Sequence, residues 1–157
     1  MIPGPTLSGF QWFILDIMAI PIEYLPPTAP VVGWAFALAS SIANPDLRHV
    51  NSRVPGLPQT NMYNEAVYNL AADIVMNFAQ DQAGRSFFRD KRAELDINKF
   101  QAGVVASTAD SSTSTSLLNP EFMKTLTLAN LQNMKTPWGR MYLAIAQSAG
   151  PTIWGSS

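Results

Sequence analysis

The side chains that could do chemistry are few and far apart in this sequence. The single histidine, His49, lies in a proline-rich segment, and its nearest acidic neighbour is Asp46. Zinc and similar metals need several converging histidine, cysteine or carboxylate ligands, and the chain has no cysteine. We therefore predict an exposed loop histidine and no metal site, and the lack of cysteine also excludes disulfides.

The other candidate for acid–base chemistry is Asp73, which follows Ala72 on a strongly apolar stretch. A buried acid with a perturbed pKa can act as a general acid. No second acid accompanies Asp73, so we predict a carboxylate at a helix edge that pairs with an arginine or lysine. The many hydroxyls between Ser107 and Ser116 form no Gly-x-Ser-x-Gly elbow, and the glycines form no P-loop or dinucleotide fingerprint. The sequence thus predicts no catalytic residue and no cofactor.

Two further features could bind a partner. Basic residues cluster between Arg85 and Arg92, but nearby acidic residues neutralise them, which indicates a solvated helix face rather than a DNA-binding patch. Trp154 lies close to the end of the sequence, after Gly150-Pro151. Tryptophan is the residue type that most often anchors an interface, so Trp154 is either an anchor between subunits or part of a tail that packs on its own subunit.

The composition favours a chain that buries part of its surface against partners. Hydrophobic residues make up 47% of the sequence, enough for the core of one domain. Only 13% of residues are charged, against about 25% in a typical soluble domain. The apolar run from Phe10 to Leu25 contains Asp16, Pro21 and Glu23 and is shorter than the about 20 residues of a spanning helix. We predict neither a transmembrane segment nor a signal peptide.

Helical signals position these residues. Ser8 is predicted to cap a first helix that Pro21 ends, and Thr28 is predicted to cap a second helix with Pro30 in its first turn. The strongest three- and four-residue periodicity runs from Asn61 to about Gln80.

Two more helices are predicted further along the chain. One is amphipathic and extends from Phe87 to Leu95. In the other, Thr136 is the predicted cap, Pro137 occupies the first turn, and Tyr142 and Ile145 belong to the apolar face.

The segment from Gly103 to Leu118 is rich in serine and threonine and has a different character. We predict an extended, β-hairpin-like arm with Asp110-Ser111 as its turn. Such an arm has no core of its own, so it is either flexible or pairs with another subunit. The predicted fold is mainly α: one helical-bundle domain over 1–157 with about five helices, this arm at 103–118 and an extended tail at 151–157. The apolar pairs that bracket the arm are Val104, Val105, Leu117 and Leu118.

Three segments look familiar when they are taken in this order. The first comprises residues 63–73 with 77–81, and the second comprises Gly103-Val104-Val105 with the Ser/Thr run at 110–116. The third comprises residues 126–131, 135–140, 142–143 and 146–147, which contain Thr136-Pro137-Trp138-Gly139. Together they resemble a helix, the arm and the closing helix of the head–tail adaptor (connector or neck) proteins of tailed bacteriophages. The specificity comes from the joint order, and the resemblance covers nearly the whole chain.

The resemblance implies a structural virion protein and not an enzyme. Such a subunit forms a ring, typically of twelve copies, beneath the portal protein and above a downstream tail or nozzle protein. Double-stranded DNA passes through its lumen without sequence-specific binding, no membrane is involved, and the ring assembles in the host cytoplasm to become part of the neck. The alternatives are a tail-completion or stopper protein of the neck and a membrane-interfacial phage protein. The residues predicted to contact the portal or other subunits are Ile153, Trp154, Trp138, Arg140, Val104, Val105, Leu117 and Leu118.

Overall fold

The part of the chain that the structure describes is mainly helical, as the sequence predicted. A computed structural model describes residues 3–52, 60–98, 107–110, 113–116 and 135–148. Within these ranges it contains five α-helices: α1 (Leu7–Trp12), α2 (Pro30–Ile42), α3 (Met62–Phe78), α4 (Phe87–Glu94) and α5 (Pro137–Ser148).

The first helix begins earlier than predicted. The side chain of Thr6 accepts a hydrogen bond from the backbone N–H of Gly9 at 3.0 Å, so Thr6 is the cap and the prediction of Ser8 was wrong. Both residue types can cap, but only Thr6 has the extended backbone that a cap needs. The helix continues into a π-helical segment, Phe13–Ile17, and ends before Pro21 as expected.

The second helix begins at Pro30 and is capped differently from the prediction. Its N-cap position is held by Ala29, which makes no side-chain cap hydrogen bond, so the assignment of Thr28 as the cap was wrong. Proline in the first turn was predicted correctly. Proline is tolerated at this position because the N–H that it lacks would have had no hydrogen-bond partner there. After Ile42 the chain becomes extended ahead of Asn44-Pro45.

A short irregular region separates α2 from α3. A 3-10 helix, Pro45–His49, is capped by the side chain of Asn44. Strand β1 (Asn51–Ser52) then pairs antiparallel with β2 (Thr60–Asn61). This pairing brings the chain back to the first turn of α3.

Helix α3 is the centre of the core. The side chain of Asn61 caps it by accepting from the N–H of Asn64 at 2.9 Å. Most of its residues are buried, because neighbouring elements cover several of its faces. The fully or nearly fully buried side chains that pack around it include Phe10, Val32, Leu47, Phe88 and Ile145, one from each of α1, α2, the 3-10 helix, α4 and α5.

The predicted arm contains a β-hairpin. Strand β3 (Ser107–Asp110) pairs antiparallel with β4 (Thr113–Ser116). Asp110, the first residue of the predicted turn Asp110-Ser111, ends β3 and pairs with Thr113, whereas Ser111 lies outside the described residues. The predicted tail at 151–157 lies outside the described residues.

Candidate functional site

Of the residues predicted to contact the portal or other subunits, the structure describes Trp138 and Arg140. Both lie in the first turn of α5, where Trp138 is half-buried against the core and Arg140 is exposed. Trp138 also lines an apolar cleft of about 210 Å³ together with Met18, Met76 and Phe87. The others lie outside the described residues: Val104, Val105, Leu117, Leu118, Ile153 and Trp154.

Asp73 is buried, and the prediction of a helix-edge carboxylate was wrong. Only 2% of its surface is exposed, because α5 covers the face of α3 on which it lies. The hydroxyl of Thr136 donates a hydrogen bond to its Oδ1 atom. Within the described residues, Asp73 forms no ion pair with an arginine or lysine.

Thr136 connects this carboxyl group to the beginning of α5. Its side chain is completely buried, and its Oγ1 atom accepts a hydrogen bond from the N–H of Gly139 at 2.9 Å. The oxygen of this hydroxyl therefore caps the helix, while its O–H group donates a hydrogen bond to Asp73. The sequence predicted the cap from Thr136-Pro137, but it gave no signal for the contact with Asp73.

The burial of Asp73 changes its titration. Desolvation raises the pKa of this carboxyl group from 3.8 to about 7, while hydrogen bonds from the side chains of Thr136 and Asn77 oppose the rise. At 1.36 kcal/mol for each pH unit, that interval corresponds to about 4 kcal/mol. A charge at a helix N-terminus is stabilised by only about 0.3–1 kcal/mol, so desolvation prevails over the dipole of α5.

The arrangement favours a structural contact over catalysis at Asp73. The carboxyl group is covered and touches the first turn of α5, so a substrate has no direct access to it. His49 is exposed, as predicted, but it is the last residue of the 3-10 helix and not part of a loop. Among the described residues, no group of three or more histidine, cysteine or acidic side chains converges in a way that could hold a metal ion.

The basic cluster is engaged with acids, rings and carbonyl groups, in agreement with a neutralised helix face. Arg85 lies 3.8 Å from the carboxylate of Glu23 and stacks over the ring of Tyr24. Lys91 pairs with Glu94 at 3.0 Å. Arg92 differs, because it turns inward and donates to the carbonyl oxygens of Met76, in the last turn of α3, and of Ala79, the C-cap of that helix.

Sequence reasoning missed an exposed aromatic pair, which we call the aromatic patch: Trp34 of α2 and Phe78 of α3. The two rings meet edge to face, with centroids 5.4 Å apart. Nevertheless, 49% of Trp34 and 57% of Phe78 are exposed. In the sequence, Trp34 lies four residues before Leu38 and Phe78 lies four residues after Ile74, so each belongs to an apolar helix face. Only the packing of α2 on α3 shows that both positions fall at the edge of the contact.

Further apolar side chains are exposed on other elements. Trp12 and Ile17 project from the first helical segment, Ile22 follows it, and Met141 lies on α5. Among the described helices, none is both long and apolar enough to cross a bilayer.

Comparisons of the sequence with protein-family models, with curated proteins and with solved structures gave no match.

Proposed function

We propose that this chain is a structural head–tail adaptor subunit of a tailed phage, which forms a ring beneath the portal, connects the capsid to the tail and lets DNA pass. The proposal is supported by the ordered resemblance of three segments to that family. The structural observation that carries it is the aromatic patch, since two large aromatic side chains remain half in water at the junction of α2 and α3.

Exposure of the aromatic patch to water is unfavourable in free energy. Buried aromatic side chains cover about 150–250 Å² each, so the exposed halves of Trp34 and Phe78 amount to about 200 Å². At about 25 cal/mol per Å², covering this area contributes at most about 5 kcal/mol. Association itself costs several kcal/mol, so the patch alone does not hold a complex together, but repetition around a ring multiplies such contacts.

The test is assembly of the purified chain with its portal, followed by light scattering and negative-stain imaging. We expect rings with the wild type and weaker assembly with Trp34→Ser and with Phe78→Ser. The matched control is Trp12→Ser, which removes a tryptophan of similar exposure from α1. Rings that form equally well from all of these variants would exclude the aromatic patch as a subunit contact, and a wild type that never assembles with the portal would contradict the proposal.

The segment at 151–157 is proposed to dock onto the portal through Trp154. Removal of 151–157, or the Trp154→Ala substitution, should then weaken binding to the portal, and normal joining of heads to tails by the truncated chain would exclude this role. Cross-linking separates the adaptor from a stopper or tail-completion protein, because the adaptor forms cross-links to the portal and the stopper forms them to the tail.

One observation favours a second candidate, a membrane-interfacial phage protein. Trp12, Ile17 and Ile22 are each more than half exposed within a short stretch of chain, and apolar side chains of this kind can insert at a lipid interface. Co-sedimentation with vesicles of phosphatidylglycerol tests this reading. Binding that Trp12→Ser abolishes and Trp34→Ser leaves intact would support it, whereas a wild type that stays in the supernatant would exclude it.

A further inference from the structure

The contact between α3 and the first turn of α5 depends on a carboxyl group that has been removed from water. Asp73 is 2% exposed and Thr136 is 0% exposed. The threonine hydroxyl donates a hydrogen bond to Asp73. The oxygen of the same hydroxyl accepts a hydrogen bond from the N–H of Gly139. The beginning of α5 is therefore fastened to α3 through a group that can gain or lose a proton.

No cation in the described residues balances a charge on Asp73. Among the described residues, the groups that hydrogen-bond to its side chain are both neutral: the hydroxyl of Thr136 on α5 and the side chain of Asn77 on its own helix. Arg92, the inward-facing cation of α4, donates to the carbonyls of Met76 and Ala79 instead. Helix α2 and strand β2 carry no titratable side chain.

The other charged or titratable groups of elements packed on α3 lie elsewhere. Arg140 of α5 is exposed and Tyr142 is half-buried. Lys135, just before α5, donates to the carbonyls of Asp96 and Ile97. In the 3-10 helix, Arg48 stacks over the ring of Tyr63. The remaining ones are Asp46 and His49 of the 3-10 helix, Glu65 and Tyr68 of α3, and Arg89, Asp90, Lys91 and Glu94 of α4, all of them exposed except the half-buried Glu65 and Tyr68.

We propose that Asp73 and Thr136 form a pH-sensitive joint, which holds the first turn of α5 against α3 while Asp73 is protonated and releases it when Asp73 ionises. An ionised carboxylate at this position needs solvation that its neutral partners do not supply. Water reaches it only if α5 moves away from α3, so ionisation favours the open state. The joint does not depend on the proposed function. If that function holds, opening also moves Trp138 and Arg140, the described residues predicted to contact other subunits.

The sign of the effect follows from the two protonation states. Burial raises the pKa of Asp73 from 3.8 to about 7 in the folded chain. Between these values, the closed state keeps a proton that the open, solvated state has lost. The opening equilibrium constant then rises by up to about tenfold for each pH unit in this window. Closure is strongest below pH 3.8, weakens toward pH 7 and changes no further above it.

Hydrogen exchange on the purified chain, without portal, tests the joint between pH 4 and pH 8. We expect the protection factors of α5 amides, such as the N–H of Arg140 that donates to the carbonyl of Thr136, to fall with rising pH relative to those of α2. The fall should be absent in Asp73→Asn. It should persist in Glu65→Gln, a matched control, since burial also raises the pKa of Glu65 on the same helix.

A wild type whose α5 protection stays flat over this range would overturn the joint, and so would an Asp73→Asn variant that keeps the fall. A second measurement needs no variant: carbon-13 NMR should show the Asp73 carboxyl group titrating near pH 7, together with the loss of α5 protection. Titration near pH 4 would overturn the proposal. Because no portal is present, failure here leaves the adaptor function untouched, and failure of ring assembly leaves the joint untouched.

Discussion

Replacing Thr136 by valine is expected to destabilise the fold, because it removes a hydroxyl that makes two buried hydrogen bonds. Valine keeps the shape of threonine, so packing changes little. Loss of the cap on Gly139 costs about 1 kcal/mol. A buried acceptor on Asp73 that loses its donor costs about 1–3 kcal/mol more. The expected loss in the free energy of unfolding is therefore about 2–4 kcal/mol.

Urea denaturation at pH 6 measures this loss directly, and it is large against the roughly 5–15 kcal/mol of a typical domain. Thermal unfolding should shift by roughly 2–4 °C for each kcal/mol. The control is Thr136→Ser, which keeps the hydroxyl and loses one methyl group, at about 0.8 kcal/mol.

A double-mutant cycle separates the two hydrogen bonds of Thr136. In an Asp73→Ala background the acceptor is gone, so Thr136→Val should cost only the cap, about 1 kcal/mol. A change of less than about 0.5 kcal/mol for Thr136→Val in the wild type, or an equal loss in both backgrounds, would show that Thr136 does not stabilise the fold through Asp73.

Two further substitutions test packing and capping, each with a matched control. A Cβ on Gly9 would lie 2.2 Å from the Oη atom of Tyr68, so Gly9→Ala should destabilise the chain by about 1–3 kcal/mol in urea denaturation. A Cβ on Gly33, in α2, meets nothing within 4 Å, and Gly33→Ala should stabilise by about 0.5–1 kcal/mol. Arg92→Gln removes the donors to the carbonyls at the C-terminal end of α3, with an expected loss of about 1–2 kcal/mol because the side chain is partly exposed. Arg89→Gln should change thermal stability little, since its ion pair among the described residues is with the adjacent, exposed Asp90. Equal losses for the two arginine variants would contradict the capping role of Arg92.

Local sequence signals predicted much of the helical structure. The periodic stretch from Asn61 became α3, with Asn61 as its cap. Thr136-Pro137 placed the beginning of α5 correctly, and Pro30 placed that of α2. These signals work because helix periodicity and capping involve residues only three or four positions apart.

The prediction of helix caps failed where several residues of the right type lie close together. Local signals also gave no indication of a cap that comes from further away in the sequence. Thr6 prevails over Ser8 because its backbone is extended, and Thr28 makes no cap because Ala29 is the last residue before the helix. At the start of α4, the carboxylate of Asp81 accepts from the N–H groups of Phe88 and Arg89 at 2.7 and 2.9 Å. Ser86 is at the N-cap position and makes no such bond, because its hydroxyl donates to the carboxylate of Asp90.

The candidate sites were harder to predict than the helices. Exposure of Trp34 and Phe78 depends on how α2 crosses α3, which no local pattern specifies. The neutralised basic face was predictable in part, because Arg89 and Lys91 pair with acidic residues of the same helix. The pairing of Arg85 with Glu23 depends on the tertiary structure, since the two residues lie far apart in the sequence.

By itself, the sequence determined that the chain is mainly helical and where α3 and α5 begin. It also determined that the fraction of charged residues is low compared with a typical soluble domain. It also determined that Thr136 caps a helix, because a cap is a local hydrogen bond. Only the tertiary structure decided that the hydroxyl of this cap meets Asp73, 63 residues away. An acid on an apolar helix looks the same in sequence whether its face is solvated or covered. The packing of α5 on α3 removes Asp73 from water, and this desolvation gives the carboxyl group its raised pKa.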